Sequence, residues 1–353
     1  MHDIARAAGV SQSTVSRVLN AASSSIPISE ETRERVLASA RQLGYSPNPL
    51  ARGLRGAPTM LLGVIVRDIT DPFFAGPIEQ ISIEAARRGY NVVLGHAHGR
   101  ADEAMVLRSA LETRHVDAIL LLGDMTDQPR LIDDLMNCRV PVVALWQGTA
   151  LHGLPMVNVD NATGVTLALD HLVSLGHRRI AFVSGRPLGD IQERRAAYES
   201  RMQAAGLDIP EGFVRHVAND PAGGEQALVA LMALSSRPTA VVCSTDQLAI
   251  GVLHGAASLG IRVPSDLSVT GFDDLPMSAF TVPALTTVRM PTREMTDLAV
   301  QIAIDGGPDE RQPTVEVLRP ELVVRDSTGP ATEADKGSRR PRAAPVVKVG
   351  KHS

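Results

Sequence analysis

The stretch Asp3-Ile-Ala-Arg-Ala-Ala-Gly-Val-Ser-Gln-Ser-Thr-Val-Ser-Arg-Val-Leu-Asn20 has the local chemistry of two short helices joined by a tight turn. Ala5 is small where two crossing helices approach most closely. Gly9 stands at the turn, where a left-handed backbone is costly for any other residue, and Ser11 is placed to cap the second helix by accepting from an amide two or three residues on. Ile4, Val10, Val15, Val18 and Leu19 supply one apolar face. Gln12, Ser13, Ser16 and Arg17 remain outward on the second helix, and these are residue types that hydrogen-bond bases and phosphates. The pattern predicts a helix-turn-helix whose outer face suits the major groove, although each of these polar residues would equally suit a solvated helix face.

Outward from this motif the pattern changes. Residues 1–46 carry short helical patterns, whereas from Met60 apolar strands alternate with amphipathic helices. The 47–58 segment between them is rich in Pro and Gly and reads as a linker. Strands are expected near Leu61 to Val66, Asn91 to Leu94, Ala118 to Leu122 and Val140 to Leu145, then again near Arg179 to Ser184, Phe213 to Val217, Ala240 to Ser244 and Leu267 to Gly271. Strands separated by helices imply parallel sheets covered on both faces, and two such sets imply two lobes with a ligand cleft beyond the carboxyl ends of the strands. The expected fold is α/β, an all-α helix-turn-helix headpiece followed by a two-lobed core of two parallel, doubly wound sheets.

Beyond the headpiece motif, the blocks Ser29-Glu-Glu-Thr-Arg-Glu-Arg-Val36, Leu43-Gly-Tyr45, Pro47-Asn48, Asp71-Pro-Phe-Phe74, Gly176-His-Arg-Arg-Ile180, Pro238-Thr-Ala240, Gly271-Phe-Asp-Asp274, Leu285-Thr-Thr287 and Pro320-Glu-Leu-Val-Val-Arg325 follow in order. Together they resemble the lactose-repressor (LacI/GalR) family of transcription regulators over nearly the whole chain, to about Thr328. The resemblance implies a periplasmic-binding-protein-like core and five segments: headpiece 1–46, hinge 47–58, first lobe 59–158 plus 291–317, second lobe 159–290 plus 318–328, and a disordered basic tail 329–353. It implies a sequence-specific regulator, most often a repressor, that binds a palindromic operator in double-stranded DNA as a homodimer. A small metabolite between the lobes, a sugar or sugar derivative, would control it.

On that resemblance Gln12, Ser13 and Arg17 read bases, while Ser11, Thr14, Ser16 and Asn20 hold phosphates or cap helices. Residues matching Asn48, Ala51, Arg52 and Leu54 fold as a hinge helix on the operator, with Leu54 as a wedge in the minor groove. Effector contacts carried over by motif are Phe73, Phe74, Arg194, Asp246 and Asp273. Arg194 and Asp273 have the chemistry to bracket vicinal hydroxyls. Trp146 stands where many members have an acid, and it fits either a ligand-stacking face or a core packing position. Other departures are Thr245 in place of an asparagine, Asn219 in place of a cleft aromatic, a longer loop from Asn20 to Ser29, and Met1-His2 where a capping threonine is usual.

No catalytic residue, metal site or cofactor is implied. Gly-x-Gly-x-x-Gly after the first strand, a Gly-Lys-Ser/Thr phosphate loop and a Gly-x-Ser-x-Gly elbow are all missing, which weakens the reading as an enzyme on a doubly wound fold. A periplasmic sugar receptor shares the two-lobed core, but the N-terminal residues have no secretory pattern and a cytoplasmic protein without membrane contact is expected. Cys138 and Cys243 lie among apolar residues and read as buried free thiols. Net charge is only -4, yet it is unevenly spread. Residues 1–56 hold seven arginines against four acids, and the stretch from Pro330 holds six basic residues against two acids, which leaves -11 for the core. That polarity turns the headpiece toward phosphates and the core away.

Overall fold

The structure is a computed structural model, and it describes residues 2–19, 28–44, 58–97, 116–148, 153–186, 189–306 and 314–331. Among the described residues, the headpiece has three helices: α1 (His2–Ala8), α2 (Gln12–Leu19) and α3 (Glu30–Gln42). They close on Ile4, Val15, Val18 and Val36, each at most 5% exposed. Gly9 adopts φ +66, the left-handed turn expected of it, and the Ser11 hydroxyl accepts from the Thr14 amide at 3.1 Å as the cap of α2. Ser29 caps α3 in the same way through the Thr32 amide.

Two six-stranded sheets follow. The first takes β1 (Leu61–Val66), β2 (Asn91–His96), β3 (Ala118–Leu122), β4 (Val142–Leu145), β5 (Met156–Val159) and β11 (Val315–Leu318) in the order β11-β5-β4-β3-β1-β2, all parallel. The second takes β6 (Ile180–Ser184), β7 (Val214–His216), β8 (Ala240–Cys243), β9 (Ser268–Asp273), β10 (Thr286–Arg289) and β12 (Glu321–Val323) in the order β12-β10-β9-β8-β6-β7. β12 alone runs antiparallel, on β10. Continuous apolar runs such as Leu61–Val66 and Ala118–Leu122 become central strands, because a strand covered on both faces needs no polar alternation.

The chain passes between sheets three times: from β5 to α6 (Asn161–Ser174), from β10 to α10 (Thr292–Asp305), and from β11 to β12. Against the first sheet pack α4 (Ala75–Arg87) and α10, with α5 (Pro129–Met136) filling its other face. The second sheet is covered by α6 and α7 (Gly189–Ala204) on one side, and by α8 (Pro221–Met232) and α9 (Asp246–Ser258) on the other. α8 and α9 touch through glycines: a Cβ on Gly251 would lie 1.9 Å from the Pro221 carbonyl oxygen, and one on Gly224 would lie 2.1 Å from that of Leu248.

Two expectations need correction. The folded chain runs past the boundary expected at 328, since the Gly329 carbonyl lies 3.0 Å from the buried His177 ring and the Ala331 amide donates to Leu175. Cys138 is half-buried at the end of α5, whereas Cys243 is fully buried as expected, and burial pushes its thiol pKa upward.

Candidate effector cleft and DNA-reading surface

At the headpiece, Ser11, Gln12 and Ser13 are exposed side by side where α2 begins, and Thr14, Ser16 and Arg17 are half-exposed along the same helix. Serine and threonine hydroxyls there form a small network, with Ser11 Oγ 2.7 Å from Ser13 Oγ and 2.9 Å from Thr14 Oγ1. Arg17 Nε donates to the Ser13 carbonyl at 3.3 Å, which lays the guanidinium back along the helix. The apolar residues of α2 are inward, so its outer face is wholly polar. Asn20, Asn48, Ala51, Arg52 and Leu54 lie outside the described residues.

The cleft is a cavity of about 520 Å³ whose lining comes from both lobes. Its walls are the segments that follow β1, β3 and β4 in the first lobe and β6, β7, β8, β9 and β10 in the second, together with the start of α7. Carboxyl ends of parallel strands therefore face it from both sides, the place where open sheets bind ligands. After β1 the chain makes a short 3-10 turn, Pro72–Phe74, which Asp71 caps by accepting from the Phe73 amide at 2.9 Å. This turn sets Phe73 edge-on to Phe74 at 5.1 Å and to Trp146 at 5.0 Å, forming an aromatic corner. Trp146 is 3% exposed and holds φ +58, a costly conformation for a bulky residue and one that tends to persist at functional sites.

Arg194, buried in the second turn of α7, faces this corner from the second lobe. Its Nε donates to Asn161 Oδ1 at 2.8 Å, and Nη1 donates to the Ser244 carbonyl at 2.6 Å and reaches Asp273 Oδ1 at 3.4 Å. The guanidinium lies 3.6 Å above the Phe272 ring, so it is fixed on every side. Asp273 sits at φ +120; burial raises its pKa well above the carboxylate range, against the pull of Arg194. A guanidinium and a carboxyl held this rigidly can meet a donor and an acceptor on neighbouring carbons of a ligand without further ordering cost.

Phe73, Phe74, Trp146, Arg194 and Asp273 thus come together on one cavity, whereas Asp246 does not line it. The Asp246 carboxylate, at the start of α9, turns toward the sheet and accepts from the Leu275 amide, the Ser278 hydroxyl and the Thr287 hydroxyl. That ties α9, β9 and β10 together and makes Asp246 a support for the loop bearing Asp273. Its neighbours Thr245 and Gln247 do reach the cavity, as does Asn219, which accepts from Thr245 Oγ1. Sequence reading also missed Asp71, Asp124 and Asp190 on the lining. The signal available for Asp124 was its place two residues beyond a central strand.

Asp71 and Gln247 join the lobes directly, Gln247 Nε2 donating to Asp71 Oδ1 at 2.9 Å. Arg186 of the second lobe lies 3.5 Å from Asp127 of the first. Asp190 is 7% exposed, and burial pushes its pKa up from 3.8 to about 6, with Arg194 pulling the other way. The folded state then holds this proton more tightly than the unfolded one. Asp190's contribution to stability is greatest below the ordinary aspartate value and falls as pH rises through 4 to 6, by about 3 kcal/mol over the window. The thermal midpoint is expected to decline more steeply across that window for the wild type than for Asp190→Asn. Parallel curves would show that Asp190 does not titrate there.

Among the described residues no helix is long and apolar enough to cross a membrane. Residues 1–48 match the family described as bacterial regulatory proteins, lacI family, and residues 169–328 match the periplasmic binding protein-like domain. The transcriptional repressor CytR of Escherichia coli (strain K12) is 32% identical over 332 residues, which cover 93% of this chain and 96% of CytR. Among solved structures, the Lac repressor dimer bound to operator and the anti-inducer ONPF matches with a TM-score of 0.82 at 26% identity, covering 93% of this chain and 98% of that one. The complex of the transcriptional regulator CelR with cellobiose matches with a TM-score of 0.69 at 28% identity, covering 92% and 98%. Headpiece, two-lobed core and full-length similarity agree, and the chain belongs to the LacI family of bacterial regulatory proteins.

Proposed function

We propose that this protein is a cytoplasmic repressor that binds a palindromic operator as a homodimer and is switched by a sugar or sugar derivative held between its lobes. One observation carries the reading: the same chain has an outward polar recognition helix and, in its core, a cavity where an aromatic corner faces a fixed Arg194–Asp273 pair. An aromatic face beside a bracketing arginine and carboxyl suits the two surfaces of a pyranose or furanose ring, apolar C–H on one and hydroxyls on the other. Because the lobes meet across that cavity through Asp71–Gln247, a ligand that prefers one lobe arrangement shifts the operator affinity, and the operator shifts the ligand affinity by the same factor. The protein acts by binding rather than by catalysis.

In this reading Gln12, Ser13 and Arg17 read base edges, Ser11, Thr14, Ser16 and Asn20 position phosphates, and Asn48, Ala51, Arg52 and Leu54 order on the operator between two subunits. The test is footprinting of the full chain on DNA from around its own gene, with log affinity falling steeply with log salt. Arg17→Ala is expected to cost about 1–3 kcal/mol, roughly 5- to 150-fold, in specific binding and to relax one position of the half-site. Specific affinity unchanged by Arg17→Ala would remove it as a base reader.

A further inference from the structure

The polarity of the cleft narrows its ligand further, and the step rests on the effector-cleft reading above. Among the described residues, six aspartates line the cavity: Asp68, Asp71, Asp124, Asp190, Asp220 and Asp273. The three arginines of the lining each already face an acid. Arg67 holds Asp127 through two bonds of 2.9 and 3.0 Å, Arg186 lies 3.5 Å from the same carboxylate, and Arg194 lies 3.4 Å from Asp273. A phosphate or carboxylate entering this cavity meets an excess of carboxyl groups over guanidinium groups, and the guanidinium groups among the described residues already face acids.

Two of the aspartates approach each other from opposite lobes. Asp124 Oδ1 accepts from the Thr126 amide at 2.7 Å, while its Oδ2 is buried and without a donor among the described residues. A Cβ on Gly189 would lie 2.6 Å from that Oδ2, so the carboxylate reaches the first residue of α7, next to Asp190. Asp190 Oδ1 accepts from Asn161 at 3.0 Å, and Glu193 binds the same amide at 2.8 Å, which adds a third carboxylate to this corner against Arg194. Opposite, Trp146 on the cavity wall is 3% exposed and its indole N–H has no acceptor among the described residues. Two residues of the lining thus each hold a buried polar atom without a partner among the described residues, a carboxylate oxygen on Asp124 and the indole N–H on Trp146, and hydroxyl groups can answer both needs.

We propose that this cleft is built for a ligand without negative charge that places a hydrogen-bond donor, a hydroxyl or a protonated amine, between Asp124 and Asp190, and that these two residues determine its specificity. Phosphorylated sugars and sugar acids are refused.

The test is a thermal-shift panel on the full chain. Pentoses, hexoses, disaccharides and nucleosides are each supplied in neutral, amino and phosphorylated or carboxylated forms, with calorimetry on the hits. Neutral or amino members are expected to stabilise the protein while the anionic forms of the same frames do not. Equal affinity for neutral and amino forms assigns the donor as hydroxyl, and an amine preference assigns it as ammonium. Asp124→Asn and Asp190→Asn, each shown to be folded by a cooperative unliganded melting transition, are expected to weaken the hit at least about tenfold. Binding of an anionic form as tight as its neutral parent, a panel blank across neutral and amino forms, or full affinity in both variants overturns the proposal. Operator footprinting on the same samples keeps the two readings apart. A phosphorylated sugar that releases operator sinks this proposal and leaves the regulator standing; a neutral sugar that binds without changing operator occupancy does the reverse.

Discussion

Gly251→Ala is expected to lower the thermal midpoint of the core by about 6–12 °C, or to prevent the second lobe from folding. The reason is backbone against backbone: the added methyl would sit 1.9 Å from the Pro221 carbonyl oxygen, where no side-chain rotation gives relief. Helices α8 and α9 would have to separate, and the apolar residues they bury against the sheet, Leu228, Leu231, Leu248 and Val252, would lose contact with one another. Overpacking typically costs 1–3 kcal/mol, and a contact that moves a whole helix belongs at or above roughly 3 kcal/mol. At about 2–4 °C per kcal/mol for a lobe of this size, the stated shift follows. Gly76→Ala is the control. It lies in α4 with nothing within 4 Å of the new Cβ, and helix propensity favours alanine there by up to about 1 kcal/mol. Equal melting points for the two variants would show that the α8–α9 contact has room to spread.

Arg194→Ala is the second large effect. Removing the guanidinium leaves Asp273 buried beside Asp246 and Asp71 with no other cation in contact among the described residues, and breaking a buried pair from one side costs about 3–5 kcal/mol. The pH dependence separates this from simple loss of packing. With Arg194 gone the folded-state pKa of Asp273 rises further, so the folded form gains stability when the carboxyl is protonated. The loss relative to wild type is therefore expected to be larger at pH 8 than at pH 5. A deficit of equal size at both pH values would assign it to the emptied space over Phe272 instead. Response to the effector is expected to vanish in this variant even where the protein is folded.

Periodicity carried most of the fold. Leu61–Val66 and Ala118–Leu122 are apolar throughout because parallel central strands are covered on both faces, and Gly9 with Ser11 marks the headpiece turn by backbone chemistry alone. What escaped was set by the fold rather than by local sequence. Asp246 stands one residue from two that do reach the cavity, yet as the first residue of α9 it turns toward the sheet and is consumed by three donors. No periodicity tells one side of a helix start from the other when both are buried. Asp124 and Asp190 are separated by 66 residues and belong to different lobes, so only the docking of the lobes makes them neighbours. Gly164, with no turn to explain it, is required because the Phe272 ring occupies the place of its side chain, 2.6 Å from where a Cβ would be. That ring in turn carries Arg194.

The chain has a single tryptophan, and it is Trp146 on the wall of the cleft. Excited at its red edge, the whole protein therefore emits from one place, the corner where Phe73 touches the indole. Occupancy of the cavity, or a change in the approach of the lobes, alters the polarity and quenching around that ring, while DNA on the headpiece can reach it only through the coupling between the two sites. Nature has built the repressor its own optical gauge, and titrating unlabelled protein with operator alone would read the allosteric link directly.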